Sequence, residues 1–165
     1  MQEVSKSKAI KLVESFQDTH QTWHYHLLVP GCQFNTSTKY LILIENLYSN
    51  QSYIVKPDAA EMELSNKLAT MLHGKDAMDK ANTKTGYTPT EEMAAILNLI
   101  ADLSAQKLIW HHHVFFPGCK FNNHSEKYEL CVEDPRNSTR LSSISQSEPI
   151  ENLKQIESAF YAQKL

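Results

Sequence analysis

The chain reads as an α+β protein made from one helix–strand–strand–(strand)–helix unit used twice. Three observations predict this. First, the block WHYHLLVPGCQFN at residues 23–35 returns as WHHHVFFPGCKFN at residues 110–122, identical at eight of thirteen positions. Second, the similarity continues outside the block. At the same offset of 87 residues Ile10, Leu12, Val13 and Phe16 match Leu97, Leu99, Ile100 and Leu103; with one inserted residue Tyr40, Ile42, Ile44 and Glu45 match Tyr128, Leu130, Val132 and Glu133. Self-similarity at a fixed offset is the mark of a repeated structural unit. Third, helix-spaced and strand-spaced apolar patterns occur in the same order in both halves. The expected organisation is a single domain over 1–165, with repeat 1 at 5–73, a polar linker at 75–87 and repeat 2 at 88–164. The two repeats are expected to be pseudo-twofold related, forming a mostly antiparallel sheet with helices packed on it.

Taken in order, residues 5–18 carry Ile10, Val13 and Phe16 on one helical face. Strands are expected at 22–29 and over the continuous apolar run Tyr40–Ile44, with a third at Tyr53–Val55. Asp58 suits the N-cap of a second helix bearing Leu64, Leu68, Met71 and Leu72, and Gly74 suits its C′ position. Thr88 and Glu91 have capping-box spacing, with Pro89 at the first helical position of a helix ending near Ala105. Strands follow at 108–116 and 128–133. The stretch DPRNSTRLSSISQSE is loop-like, with Leu141–Ile144 as an edge strand at most. Pro149 opens the last helix, striped by Ile150, Leu153, Ile156 and Phe160.

Composition narrows the function classes. A formal charge of −3 without a basic run argues against nucleic-acid binding. No stretch has the length and apolarity of a membrane span, and the first residues lack the apolar core of a secretory signal. Three cysteines, Cys32, Cys119 and Cys131, favour reduced thiols and a cytoplasmic location. A Cys32–Cys119 disulfide is the lesser expectation. Only four glycines occur, and no glycine-rich phosphate loop or CxxC pair is present.

Side chains alternate faces along a strand. Trp23, Tyr25, Leu27 and Val29 therefore share one face, and His24, His26 and Leu28 the other. In the second copy Trp110, His112, Val114 and Phe116 oppose His111, His113 and Phe115. The Trp faces suit a helix-covered core, with His112 as filler. His20, His73 and His124 fall outside the strands and read as solvated. Two imidazoles at i and i+2 can reach one metal ion, so His24, His26, His111 and His113 are the candidate ligands, in one shared set or as three His with Glu45 or Glu133. Glu45 and Glu133 are also the candidate catalytic groups, and Cys32 and Cys119 the further candidate ligands. Zn²⁺ is the first choice among divalent transition metals.

Pro30–Gly31 and Pro117–Gly118 fit the centre of type II turns, followed by Phe34 and Phe121 as core anchors and Asn35 and Asn122 as loop-bonding residues. The duplicated-histidine phosphoesterases also pair His across two repeats, but they carry a hydroxyl residue two positions after the His. Here that position is a second His in both copies, so their motif is not present. The functional expectation is a His-lined site between the repeats that binds a Zn-like metal and extends to metal-dependent hydrolysis. The alternative is a non-catalytic small-ligand or interaction module in which the repeated block is structural.

Overall fold

The computed structural model describes residues 1–56, 62–73, 89–134, 139–149 and 152–163. Asp58, Gly74, Thr88, Ile150 and the linker 75–87 lie outside them. The described residues contain four helices and two mostly antiparallel sheets, an α+β fold. The expected single sheet is thus replaced by two. The chain divides into two compact units, Met1–Leu72 and His73–Leu165.

The first unit begins with β1 (Gln2–Glu3) and α1 (Lys6–Asp18), then β2 (Trp23–Leu28), β3 (Leu41–Asn46), β4 (Gln51–Val55) and α2 (Met62–His73). The sheet order is β1-β4-β3-β2, with only the β1–β4 pair parallel. Ser5 caps α1 by accepting a bond from the Lys8 amide at 3.3 Å. The buried face of α1 is Ala9, Val13 and Phe16; Ile10, expected inward, is only half-buried. Phe16 meets Tyr53 with ring centroids 6.2 Å apart, so α1 packs on the face that register gives to Tyr53, Ile44 and Tyr25. Leu41, Ile42, Leu43 and Ile44 are all buried, as a strand apolar on both faces requires.

The second unit holds α3 (Glu91–Ala105), β5 (His111–Phe115), β6 (Tyr128–Asp134), β7 (Thr139–Ser145) and α4 (Leu153–Tyr161), with sheet order β5-β6-β7. Thr90, not Thr88, caps α3, accepting from the Met93 amide at 3.2 Å. Pro89 consequently precedes the helix rather than opening it. The segment read as loop-like contains a full strand, because β7 pairs with β6 from Tyr128–Ser145 to Asp134–Thr139. The last helix starts at Leu153 rather than Pro149, with Leu153, Ile156 and Phe160 buried. Trp110 is fully buried but lies outside β5, since the Gln163 side chain takes both its backbone groups at 2.9 and 3.0 Å.

Both PGC turns form. The Cys32 amide donates to Val29 O at 3.1 Å with Gly31 at φ 90°, and the Cys119 amide to Phe116 O at 3.0 Å with Gly118 at φ 86°. Positive φ at this position is what a type II turn demands and why glycine stands there. Asn35 and Asn122 hold the loops shut. The Asn35 amide donates to Leu28 O and Lys39 O at 2.9 Å each, and that of Asn122 to Phe116 O and Lys127 O at 2.9 and 2.8 Å. Phe34 and Phe121 are half-buried rather than deep core anchors; Phe121 rests edge-on to Phe115 at 6.2 Å.

Helices α1 and α3 end alike. His20 and Lys107 both sit at φ near 57° or below, at 54° and 57°. Gln21 N bonds Phe16 O and His20 N bonds Gln17 O; Leu108 N bonds Leu103 O and Lys107 N bonds Ser104 O. These are Schellman closures with a non-glycine residue at the left-handed position. A side chain there is strained by about 1 kcal/mol. Lys107→Gly is therefore expected to raise unfolding stability by up to about 1 kcal/mol in chemical denaturation, whereas Lys107→Ala should give no gain.

Candidate metal centre

Strand register assembles the site. In the first unit His24 faces Glu45 across β2–β3, with His26 opposite Leu43. In the second, His111 faces Glu133 across β5–β6, and His113 faces Cys131. Cross-strand partners share a face. Each acidic residue therefore joins the histidine face, the choice that the sequence left open.

The donor atoms of the first unit are close together. His24 Nε2 and His26 Nε2 are 3.0 Å apart, and Glu45 Oε1 lies 3.3 Å from His26 Nε2 and 3.8 Å from His24 Nε2. Ligands about 2.0–2.1 Å from a tetrahedral metal are about 3.3–3.4 Å from one another. The three separations bracket that edge length, so the triad fits a transition metal with little movement. In the second unit one donor atom each from His111, His113 and Glu133 lies within 4.8 Å of the others. Here His111 Nε2 is 2.7 Å from Glu133 Oε2, a direct hydrogen bond. The imidazoles of each pair stand edge to face, with centroids 4.7 Å apart in the first unit and 5.0 Å in the second.

Burial is almost complete: His24 0%, His26 2% and Glu45 4% exposed in one unit, and His111 0%, His113 2% and Glu133 6% in the other. Burying a carboxylate is costly unless a positive charge accompanies it. A cation held among the three donors would supply that charge. Burial, and secondarily the neighbouring His26, push the His24 pKa down to about 3 against the opposing pull of Glu45. His24 is therefore neutral near pH 7, the form that ligates metal.

The remaining sequence candidates are placed as follows. Cys32 and Cys119 are buried thiols at the ends of their PGC turns, and Cys131 is a buried thiol on β6. His112 is half-buried and packs against Phe160 and Trp110 with ring centroids 5.3 and 6.3 Å away, on the face opposite His111 and His113. His20 and His124 are exposed, and the side chain of His73 is outside the described residues.

Sequence reasoning missed Arg140 and Ser142, which lie on β7 beside the second triad. Arg140 is in register with Glu133 and Ser142 with Cys131. Arg140 Nη2 reaches Glu129 Oε1 at 3.1 Å, Arg140 Nη1 stands 3.7 Å from Glu133 Oε1, and Ser142 donates to Glu129 at 2.8 Å. The alternation Arg140, Ser142, Ile144 was the available signal. No family model, curated protein or solved structure matches this chain.

His24 titrates near 6.5 when unfolded and near 3 when folded. Between those values the unfolded chain binds more protons, so stability rises with pH there. Metal-free protein is expected to be fully stabilised by this group above about pH 6.5 and to lose that contribution as pH falls toward 3. Denaturant titrations across this range should show a smaller pH slope for His24→Gln than for wild type.

Proposed function

We propose that this chain binds a divalent transition metal, Zn²⁺ first, through His24, His26 and Glu45 in one unit and His111, His113 and Glu133 in the other. The observation that carries this reading is the near-tetrahedral spacing of three buried donors in the first unit. The recurrence of the same His–Glu register in the second supports it. We also infer that the two units descend from one duplicated unit, on the strength of the repeated block and the shared register. Imidazole and carboxylate donors suit Zn²⁺, and neutral His24 needs no proton removed before it binds.

A fourth position filled by water would extend the reading to hydrolysis, since a bound metal lowers the pKa of its water. A fourth position filled by a thiolate from Cys32 or Cys119 would close the centre. Deep burial favours the closed form, because catalytic metal sites keep an open, reachable position. Glu45 and Glu133 then act as ligands rather than as general bases. A cytoplasmic setting follows on this reading from the cysteine count alone. No described helix is long and apolar enough to cross a membrane.

One observation favours the alternative, a non-catalytic module with a structural histidine block: the His111–Glu133 hydrogen bond satisfies both atoms without metal. Elemental analysis separates the two. Protein loaded with Zn²⁺ and dialysed is expected to retain metal, and His24→Ala/His111→Ala to lose most of it; equal metal content in both overturns the proposal. Co²⁺ loading identifies the fourth donor. A thiolate-to-cobalt charge-transfer band that disappears in Cys32→Ser or Cys119→Ser marks the closed centre, and its absence the open one.

A further inference from the structure

We propose that the two triads are unequal metal sites, with Arg140 making the second the weaker and more readily exchanged. The proposal rests on the metal-binding reading above and adds an order of filling to it.

Two independent observations carry it. The first is charge. On the strand flanking each triad, the residue in register with the carboxylate is Ser52 for Glu45 but Arg140 for Glu133. The Arg140 guanidinium is 3.7 Å from Glu133 Oε1 and is only 30% exposed, so solvent screens it incompletely. Glu133 thus already has a cation beside it. An incoming dication gains less there, and is repelled by the guanidinium as well. The Glu129 carboxylate on the other edge of Arg140 moderates this effect without cancelling it, because Glu133 meets the positive end of that pair.

The second observation is preorganisation. Glu45 stands 3.3 and 3.8 Å from its two nitrogens, already at metal-ligand spacing. Glu133 is drawn to 2.7 Å from His111. Metal entry must break that bond and open the pair further than it must open the 3.0 Å His24–His26 hydrogen bond of the first unit. Residues that act on a ligand rather than on the metal change affinity by about 10–100-fold, which sets the expected scale. Arg140 is in this sense a positioning residue: it holds the carboxylate and does not itself ligate.

At metal levels between the two affinities, the first centre would be filled and the second would follow the free metal concentration. One chain would then carry a permanent ion and a metal-responsive site.

Zn²⁺ titration against a competing chromophoric chelator tests this on the full chain. Wild type should show two one-ion classes differing by about tenfold or more. Glu45→Gln should weaken the tight class and Glu133→Gln the loose one. Arg140→Gln should bring the classes together by tightening the loose one, and Arg140→Lys, which keeps the charge, should leave them apart. Circular dichroism confirms that each variant is folded. Two indistinguishable classes in wild type, or a loose class unmoved by Arg140→Gln, overturn the inequality while leaving the metal reading intact. Absence of Zn²⁺ binding in wild type overturns both.

Discussion

Everything at the candidate centre depends on strand register, the cross-strand pairing of His24 with Glu45 and of His111 with Glu133. Register works in steps that reverse the face: sliding β3 by one residue against β2 would replace Glu45 with Ile44 or Asn46 opposite His24. A carboxylate would leave the histidine face and a core side chain would enter it. The PGC turn, the Asn35 and Asn122 clamps and the apolar run of β3 therefore matter to chemistry as well as to folding. They fix where each strand begins relative to its neighbour.

The same register explains how chemistry and stability can coexist on these sheets. One face of β2–β4 packs on α1 through Tyr53 and Phe16, and one face of the second sheet packs on α4 through His112 and Phe160. The opposite faces concentrate the ionisable groups. Buried imidazole and carboxylate together are expensive for a fold to hold unless they neutralise one another or share a cation. The two units meet that demand differently: the second has a direct His–Glu hydrogen bond and a nearby guanidinium, while in the first the hydrogen bond joins His24 to His26 at 3.0 Å and Glu45 stands 3.8 and 3.3 Å from them. On the proposed metal binding, this difference between closely matched strands would make the first triad the better receptor for a metal ion.

Much of this was legible in the sequence, for reasons that can be named. Face alternation is a property of any strand, so the opposition of Trp23 and Tyr25 to His24 and His26 needed no coordinates. The turn chemistry of Pro30–Gly31 and the loop role of Asn35 are local, and local rules located them. Register was not legible, because the loop between β2 and β3 is long and its length alone does not set the pairing. The full extent of β7 was hidden, beyond the edge strand read at Leu141–Ile144, by a serine-rich segment of low strand propensity that β6 recruits by pairing, a case of tertiary context overriding local preference. Arg140 was lost with it. The cap of α3 was misplaced because Thr88 and Thr90 flank Pro89 and both are chemically suitable.

The most direct measurement is anomalous diffraction at the zinc edge from crystals of the zinc-loaded chain. A peak among Nε2 of His24, Nε2 of His26 and a Glu45 oxygen, each about 2.0–2.2 Å away, is the predicted result. Zinc found only on surface groups such as His20 or His124, with the buried donors unchanged, would contradict the account.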